Sequence, residues 1–252
     1  MFLILYRRII KRLFDIFIAL ILFLPSTIIV APIILVSFLS DRSNPFYLAK
    51  RVGKRGKGFQ MIKLRSMIKF ADKKGIYSTK VDDPRITKIG SFIRRYKLDE
   101  LPQLINVFLG DMSFVGPRPN TYKNGVELYT ELELELLEVR PGVTDFSSIV
   151  FSDESIIIAN SSDPDKSYNE IIRPWKSELG LFYIKNYNVF IDISLIIATV
   201  IALINKKLAL KLINFVLVFL GADQDLLDVS MRKGPLPRRL PPGSYGIRRE
   251  KF

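Results

Sequence analysis

Residues 13–39, LFDIFIALILFLPSTIIVAPIILVSFL, form an apolar run whose only charge is Asp15. Roughly 20 apolar residues cross a bilayer, so the simplest reading is one transmembrane helix. A cleaved signal peptide fits less well, because the run is long and no A-x-A-like site ends it. Two features oppose a simple span. Basic residues flank both ends: Arg7, Arg8, Lys11 and Arg12 before, then Arg42, Lys50, Arg51, Lys54, Arg55 and Lys57 after. Positive charge favours the cytoplasmic side, and here it favours that side for both ends. The run also contains Pro25 and Pro32. Pro25 lacks a backbone donor and crowds the Ile21 carbonyl, while the adjacent Ser26 and Thr27 hydroxyls offer partners for the freed groups. The parts before and after Pro25, about nine and about 14 residues, are each too short to cross alone. A helix–break–helix hairpin that enters and leaves by one face stands beside a kinked span.

The remaining composition agrees with a membrane surface. The 252 residues carry a net charge of +13 with 48% hydrophobic residues, and mean hydropathy is +0.20. A basic yet apolar chain suits anionic headgroups, with nucleic acid as the competing anionic partner. There is no Cys and no His. Disulfides, thiolate metal sites and Cys nucleophiles are therefore excluded, as are the usual general base and commonest zinc ligand. Chemistry must run on carboxylates, hydroxyls, Lys or Arg, with or without a hard cation.

Downstream, 45–52 and 58–65 read as short strands joined by the turn GKRGK. Residues 85–97 and 99–109 read as amphipathic helices, the second ending at Gly110. Residues 131–139 read as a surface helix, and Arg140-Pro141-Gly142 as a turn. The apolar segments 189–204 and 206–220 are separated by a Lys-bearing break. The second suits an in-plane helix, with a transmembrane hairpin as the alternative. The tail from Arg232, rich in Pro, Gly and Arg, reads as disordered in isolation.

The chemistry-bearing stretch is 97–119, KLDELPQLINVFLGDMSFVGPRP. From Lys50 to Lys97 there are 16 Lys or Arg and three acids, and then Asp99 and Glu100 stand side by side. LDELP is a good helix start, with Asp99 as N-cap and Pro102 in the first turn. A helix N-terminus also favours an ionised carboxylate and gathers N–H groups that hold phosphate. Without His or Cys, an ionised Asp among Arg residues is a credible nucleophile toward phosphorus. A second carboxylate beside it suits Mg²⁺ held against substrate phosphates. Cap and nucleophile both remain open from position alone.

The ordered set KRLFD (11–15), RVGKRGKGFQMIKLRSM (51–67), DDPRITKIGSFIRRYKLDELPQLINVFLGDMSFVGPRP (82–119) and VRPGVT (139–144) resembles the bacterial sugar transferase family, monotopic phosphoglycosyl transferases acting on polyprenyl phosphate. The resemblance covers about residues 11–204. It implies an α/β membrane-associated fold, mostly helical, in four parts: a re-entrant membrane helix hairpin (1–40), a catalytic domain (41–187), membrane-interface amphipathic helices (188–221) and a basic tail (222–252). It implies that Asp99 attacks the sugar-bearing phosphorus of a nucleoside diphosphate sugar, of UDP type, and that polyprenyl (undecaprenyl) phosphate then takes the sugar phosphate. Glu100 would assist through Mg²⁺, held by Asp99 and Glu100, or through proton handling. Arg65, Arg95, Arg118 and, more weakly, Arg140 would bind phosphates. The setting implied is the cytoplasmic face of a bacterial inner membrane, with membrane lipids as partners and no nucleic acid; a homodimer is compatible with it.

Two departures stand out. The family break commonly reads Ser-Pro, whereas here it is Pro25-Ser26, with Pro32 further on. After VRPGVT many relatives continue with a Gly-Trp-Ala-Gln-Val-Asn-Gly-Arg-like stretch, and here it is DFSSIVFSDE (145–154). Donor sugar and nucleobase therefore do not carry over. A non-catalytic, basic, membrane-anchored scaffold for glycan assembly explains the charge and hydrophobicity but not the ordered carboxylates and arginines.

Overall fold

The computed structural model describes residues 9–71, 83–123, 125–159, 161 and 163–244. Arg7, Arg8, Asp72, Asp82 and the last residues of the tail lie outside them. The fold is mostly helical, with one long apolar N-terminal helix, α1 (Lys11–Asp41). Both Pro25 and Pro32 lie inside α1, which runs as one helix through both of them. The Ser26 and Thr27 hydroxyls both donate to the Phe23 carbonyl at 2.8 Å, and not to the Ile21 carbonyl that Pro25 leaves without its donor.

The two expected strands form an antiparallel hairpin, β1 (Phe46–Val52) and β2 (Gly58–Leu64), with Phe46 opposite Leu64. Helix α2 (Lys88–Arg95) starts where the Thr87 hydroxyl accepts from the Gly90 amide, later than the pattern predicts. The expected helix from 99 is split. Lys97 is left-handed (φ 55°), Leu98–Glu100 makes a 3₁₀ turn, and α3 (Gln103–Leu109) begins after Pro102. Asp99 is therefore not an N-cap. Pro102 takes that place, and its missing N–H suits it to a helix start. Gly110, at φ 93°, ends α3 in the left-handed region that glycine enters without steric cost.

A second ladder, invisible to periodicity, pairs β3 (Ser113–Val115) in parallel with β4 (Gly142–Thr144). Residues 140–142 thus feed a strand where a simple turn is predicted. The approach is close: a Cβ on Gly142 would lie 2.2 Å from the Gly116 nitrogen. Between the strands, α4 (Glu131–Leu134) runs into a 3₁₀ segment (Glu135–Glu138). Thr130 and Glu133 form a capping box, and the fully buried Glu133 also accepts from Arg173 and Ser177, each at 2.6 Å.

Beyond β4 come α5 (Phe146–Val150), α6 (Glu154–Ile157), α7 (Pro164–Ser167) and α8 (Arg173–Asn186). Trp175, Leu179 and Tyr183 of α8 are buried with Phe146 and Ile149 of α5. Helices α9 (Val189–Ile204) and α10 (Lys206–Phe219) pack together through Leu195, Ala198, Ala209, Ile213 and Leu217. Their other faces leave Ile197, Val200, Leu203, Leu208, Phe215 and Phe219 exposed.

The tail corrects the sequence expectation. After α11 (Gln224–Met231), residues 232–244 lie across α8 as a strap. The Trp175 indole donates to the Pro237 carbonyl at 2.9 Å, Arg239 stacks over Trp175 and pairs with Glu178 at 3.0 Å, and Thr130 donates to the Pro242 carbonyl. Composition reads as disorder because it cannot show that α8 supplies an aromatic platform and acids for a Pro/Arg segment.

Candidate active site

Strand β2 presents Lys63 toward the 3₁₀ turn carrying Asp99 and Glu100. Its ammonium lies 3.7 Å from Asp99 Oδ2 and 3.4 Å from Glu100 Oε1. The strand is fixed there by Asn106 of α3, which accepts from the Ile62 amide at 2.9 Å and donates to the Gln60 carbonyl at 2.8 Å. One side chain thus ties the strand bearing Lys63 to α3, the helix that follows the turn bearing the acids.

Arg118 approaches from the other side. Its Nη2 donates to Glu100 Oε1 at 2.8 Å and its Nη1 to the Val143 carbonyl at 2.5 Å. The fork spans a carboxylate and a backbone oxygen, which a lysine could not match. Pro117 and Pro119 restrict the loop around it, and the close β3–β4 pairing sets its origin. Burial alone would raise the Glu100 pKa, but Arg118, Lys63 and Lys97 outweigh it and hold the carboxyl at about 2. Arg118 is itself pushed up: burial opposes the charge, and Glu100, Asp145 and Asp99 more than compensate. Asp99 is 8% exposed, and its carboxylate faces the Lys63 ammonium.

Of the predicted residues, the structure brings together Asp99, Glu100 and Arg118. Arg65 makes a two-pronged pair with Asp41 at the end of α1, both bonds at 2.7 Å. Arg95 is exposed and stacks beside Tyr96. Arg140 donates to the Gly110 carbonyl at 2.8 Å, as a cation at the C-terminus of α3. Lys63 was missed, although it stands two residues before Arg65 in KLRSM; strand period places them on one face. The sequence also gave no sign that Glu154 and Lys176, paired at 2.5 Å, belong to the same electrostatic cluster, with Lys97 and Arg118 acting on Glu154.

Among the described residues no group of three or more acids could hold a metal ion. A Mg²⁺ bound to substrate phosphates needs only one or two protein carboxylates, its other ligands being phosphate and water oxygens. The adjacent, hard-oxygen pair Asp99 and Glu100 fits that requirement.

A carboxylate pair with lysine and arginine held against it suits displacement at phosphorus. The family model described as bacterial sugar transferase matches residues 6–206. The chain is 36% identical over 192 residues to an uncharacterized sugar transferase, EpsL, of Bacillus subtilis, covering 76% of this chain and 86% of that protein. It is 47% identical over 110 residues to a putative undecaprenyl-phosphate N-acetylgalactosaminyl 1-phosphate transferase of the same organism, covering 44% of this chain and 62% of that one. It is 33% identical over 195 residues to the UDP-glucose:undecaprenyl-phosphate glucose-1-phosphate transferase of Escherichia coli, covering 77% of this chain but 40% of that protein. With the match running from before α1 to the start of α10, and with the carboxylate pair inside it, this chain belongs to the bacterial sugar transferase family.

Proposed function

We propose that this chain transfers a sugar-1-phosphate from a nucleoside diphosphate sugar, of UDP type, to undecaprenyl phosphate at the cytoplasmic face of the bacterial inner membrane, as the first step of lipid-linked glycan assembly. The observation that carries the reading is the Asp99–Glu100 pair, with Lys63 within 3.7 Å of both acids and Arg118 bonded to Glu100. The undecaprenyl-phosphate sugar-phosphate transferases among its relatives support the substrates.

In the first step an Asp99 oxygen attacks the sugar-bearing phosphorus. The bond from that phosphorus to the bridging oxygen breaks, and the nucleoside monophosphate leaves with the electron pair. In the second, an oxygen of the lipid phosphate attacks the same phosphorus and Asp99 departs as a carboxylate. Lys63 and Arg118 stand where negative charge accumulates. Glu100 is held ionised, which favours a role in fixing Arg118 and a divalent cation over proton donation at neutral pH. Asp99 and Glu100 would hold a Mg²⁺, whose charge would offset that of the phosphates.

The same body grips both ends of α1, which supports a re-entrant segment. Near its start, Arg12 donates to the Val107 and Phe108 carbonyls at 2.6 and 2.8 Å, and buried Asp15 accepts from Ser113 and the Phe114 amide. At its end, Asp41 holds Arg65. Ala19 and Ser37 are buried, whereas Leu20, Phe23, Leu24, Ile28 and Ile29 between them are exposed. A straight helix of this length extends about 46 Å, so a spanning one would carry its two ends to opposite sides of the bilayer. Single cysteines introduced near the N-terminus and at Ser43 test this; labelling from opposite faces would rule out re-entry.

The function is tested with the purified chain, Mg²⁺, undecaprenyl phosphate and a panel of UDP-sugars. Release of UMP that Asp99→Asn abolishes is the expected result. A fully active Asp99→Asn removes the nucleophile assignment.

A further inference from the structure

Arg51, near the end of β1, is a half-buried cation without an acid partner. Among the described residues no carboxylate pairs with it, and its guanidinium donates only to the carbonyl of its neighbour Lys50, at 2.9 Å.

The hairpin register decides where this side chain points. Residues directly opposite in an antiparallel pair share a face, and every second residue returns to it. Tyr47 lies opposite Lys63, Ala49 opposite Met61 and Arg51 opposite Phe59. Ala49 and Met61 are 1% and 3% exposed, so this face packs on the body of the protein. Lys63 uses the same face to meet Asp99 and Glu100. Arg51 therefore shares the face turned toward the acids, about 14 Å along the ladder from Lys63.

The Arg51 end is pinned to the loop that carries Arg118. The Val52 amide donates to the Asn120 carbonyl at 2.9 Å, joining the residue after Arg51 to the residue two beyond Arg118. Arg118 then reaches Glu100, the acid that Lys63 meets from the other end. The electrostatics agree with this placement: burial lowers the Arg51 pKa, Tyr47 raises it and the Arg118 charge lowers it.

These cations differ in what they already hold. Lys63 is shared between two acids, and both prongs of Arg118 are engaged. The Arg51 fork faces no carboxylate, and a planar guanidinium matches paired phosphate oxygens. A diphosphate donor with its reacting phosphorus at Asp99 brings a second phosphate that also needs a cation. Once the nucleoside phosphate has left, the lipid phosphate that attacks the same phosphorus has the same need.

We propose that Arg51 is a phosphate-binding residue of this site, gripping, beside Arg118, the phosphate next to the one that reacts. This rests on the transferase reading above. That phosphate is the nucleoside phosphate of the donor, or the lipid phosphate that follows it.

The test compares the full chain in nanodiscs with Arg51→Met, Arg51→Lys and a charge control, Lys50→Met, whose side chain is exposed on the other face of the hairpin. It reads binding of inorganic pyrophosphate with Mg²⁺, KM for donor and for undecaprenyl phosphate, kcat and the thermal midpoint. Loss of a charge-assisted contact predicts pyrophosphate binding weakened roughly tenfold or more in Arg51→Met, with a KM raised to match and the midpoint unchanged. Arg51→Lys keeps the charge without the fork and falls between, and Lys50→Met behaves as wild type. A raised donor KM assigns the contact to the nucleoside phosphate, and a rise in lipid KM alone assigns it to the lipid phosphate. Arg51→Met within twofold of wild type in pyrophosphate binding and both KM values overturns the proposal. So does an equal loss in Lys50→Met, which a general charge effect would give, or a fall in kcat with pyrophosphate binding intact, which a merely structural role would give. If the wild type releases no nucleotide from any donor, the transferase reading fails, while the pyrophosphate measurement still decides whether Arg51 holds phosphate.

Discussion

Replacing Arg118 by lysine keeps the charge and removes the fork. In the folded chain one prong donates to Glu100 Oε1 at 2.8 Å and the other to the Val143 carbonyl at 2.5 Å. A single ammonium cannot reproduce both, so one of these bonds is lost. Hydrogen bonds to charged groups contribute about 1.5–3 kcal/mol. The Arg118 and Glu100 side chains are 23% and 20% exposed, so solvent screening removes only part of this. A loss near 2 kcal/mol corresponds to roughly 30-fold in kcat/KM if the placement of Glu100 matters in the transition state. The assay is nucleoside monophosphate release in nanodiscs with undecaprenyl phosphate and a donor the wild type accepts. Thermal unfolding on the same preparations separates misplacement from misfolding. Arg118→Lys within threefold of wild type, at unchanged stability, would refute the argument that the fork organises the site.

Three other outcomes follow from the same geometry. Glu100 sits at about 2 when folded, against an ordinary 4.5. Its contribution of about 3 kcal/mol is therefore present above about pH 4.5 and lost as pH falls toward 2, and Glu100→Gln should flatten that acid limb in unfolding measured across this range. Glu133→Ala leaves Arg173 without its buried partner and should cost about 3–5 kcal/mol, read as a thermal midpoint lowered by on the order of 10 °C. Gly142→Ala places a methyl 2.2 Å from the Gly116 nitrogen, so the variant should lose activity through displacement of β4 and Arg118, seen as lower folded yield or lower kcat.

Much of the site was legible because its chemistry is local. LDELP puts two acids together without reference to the rest of the chain, and GPRP stiffens the loop around Arg118. The absence of His and Cys narrowed the candidate nucleophiles to carboxylates, hydroxyls and Lys. What sequence could not rank was which of many cations would arrive. Lys63 lies in β2 and Arg65 just beyond its end, and only the tertiary fold gives Lys63 to the acids and Arg65 to Asp41. Arg140 was claimed by the end of α3 because Gly110 terminates that helix beside it. The β3–β4 ladder stayed hidden because three-residue strands are too short to show a period. The strap over α8 stayed hidden because its order comes from Trp175, more than 60 residues away.

The most direct test of the central claim is to trap the first half of the reaction. The wild-type chain is incubated with each UDP-sugar in the absence of undecaprenyl phosphate, quenched and digested, and the peptide carrying Asp99 is weighed by mass spectrometry. A phosphosugar on Asp99, with UMP released in equal amount and no adduct in Asp99→Asn, is the predicted result. UMP release that continues in Asp99→Asn, or an adduct on another residue, would contradict it.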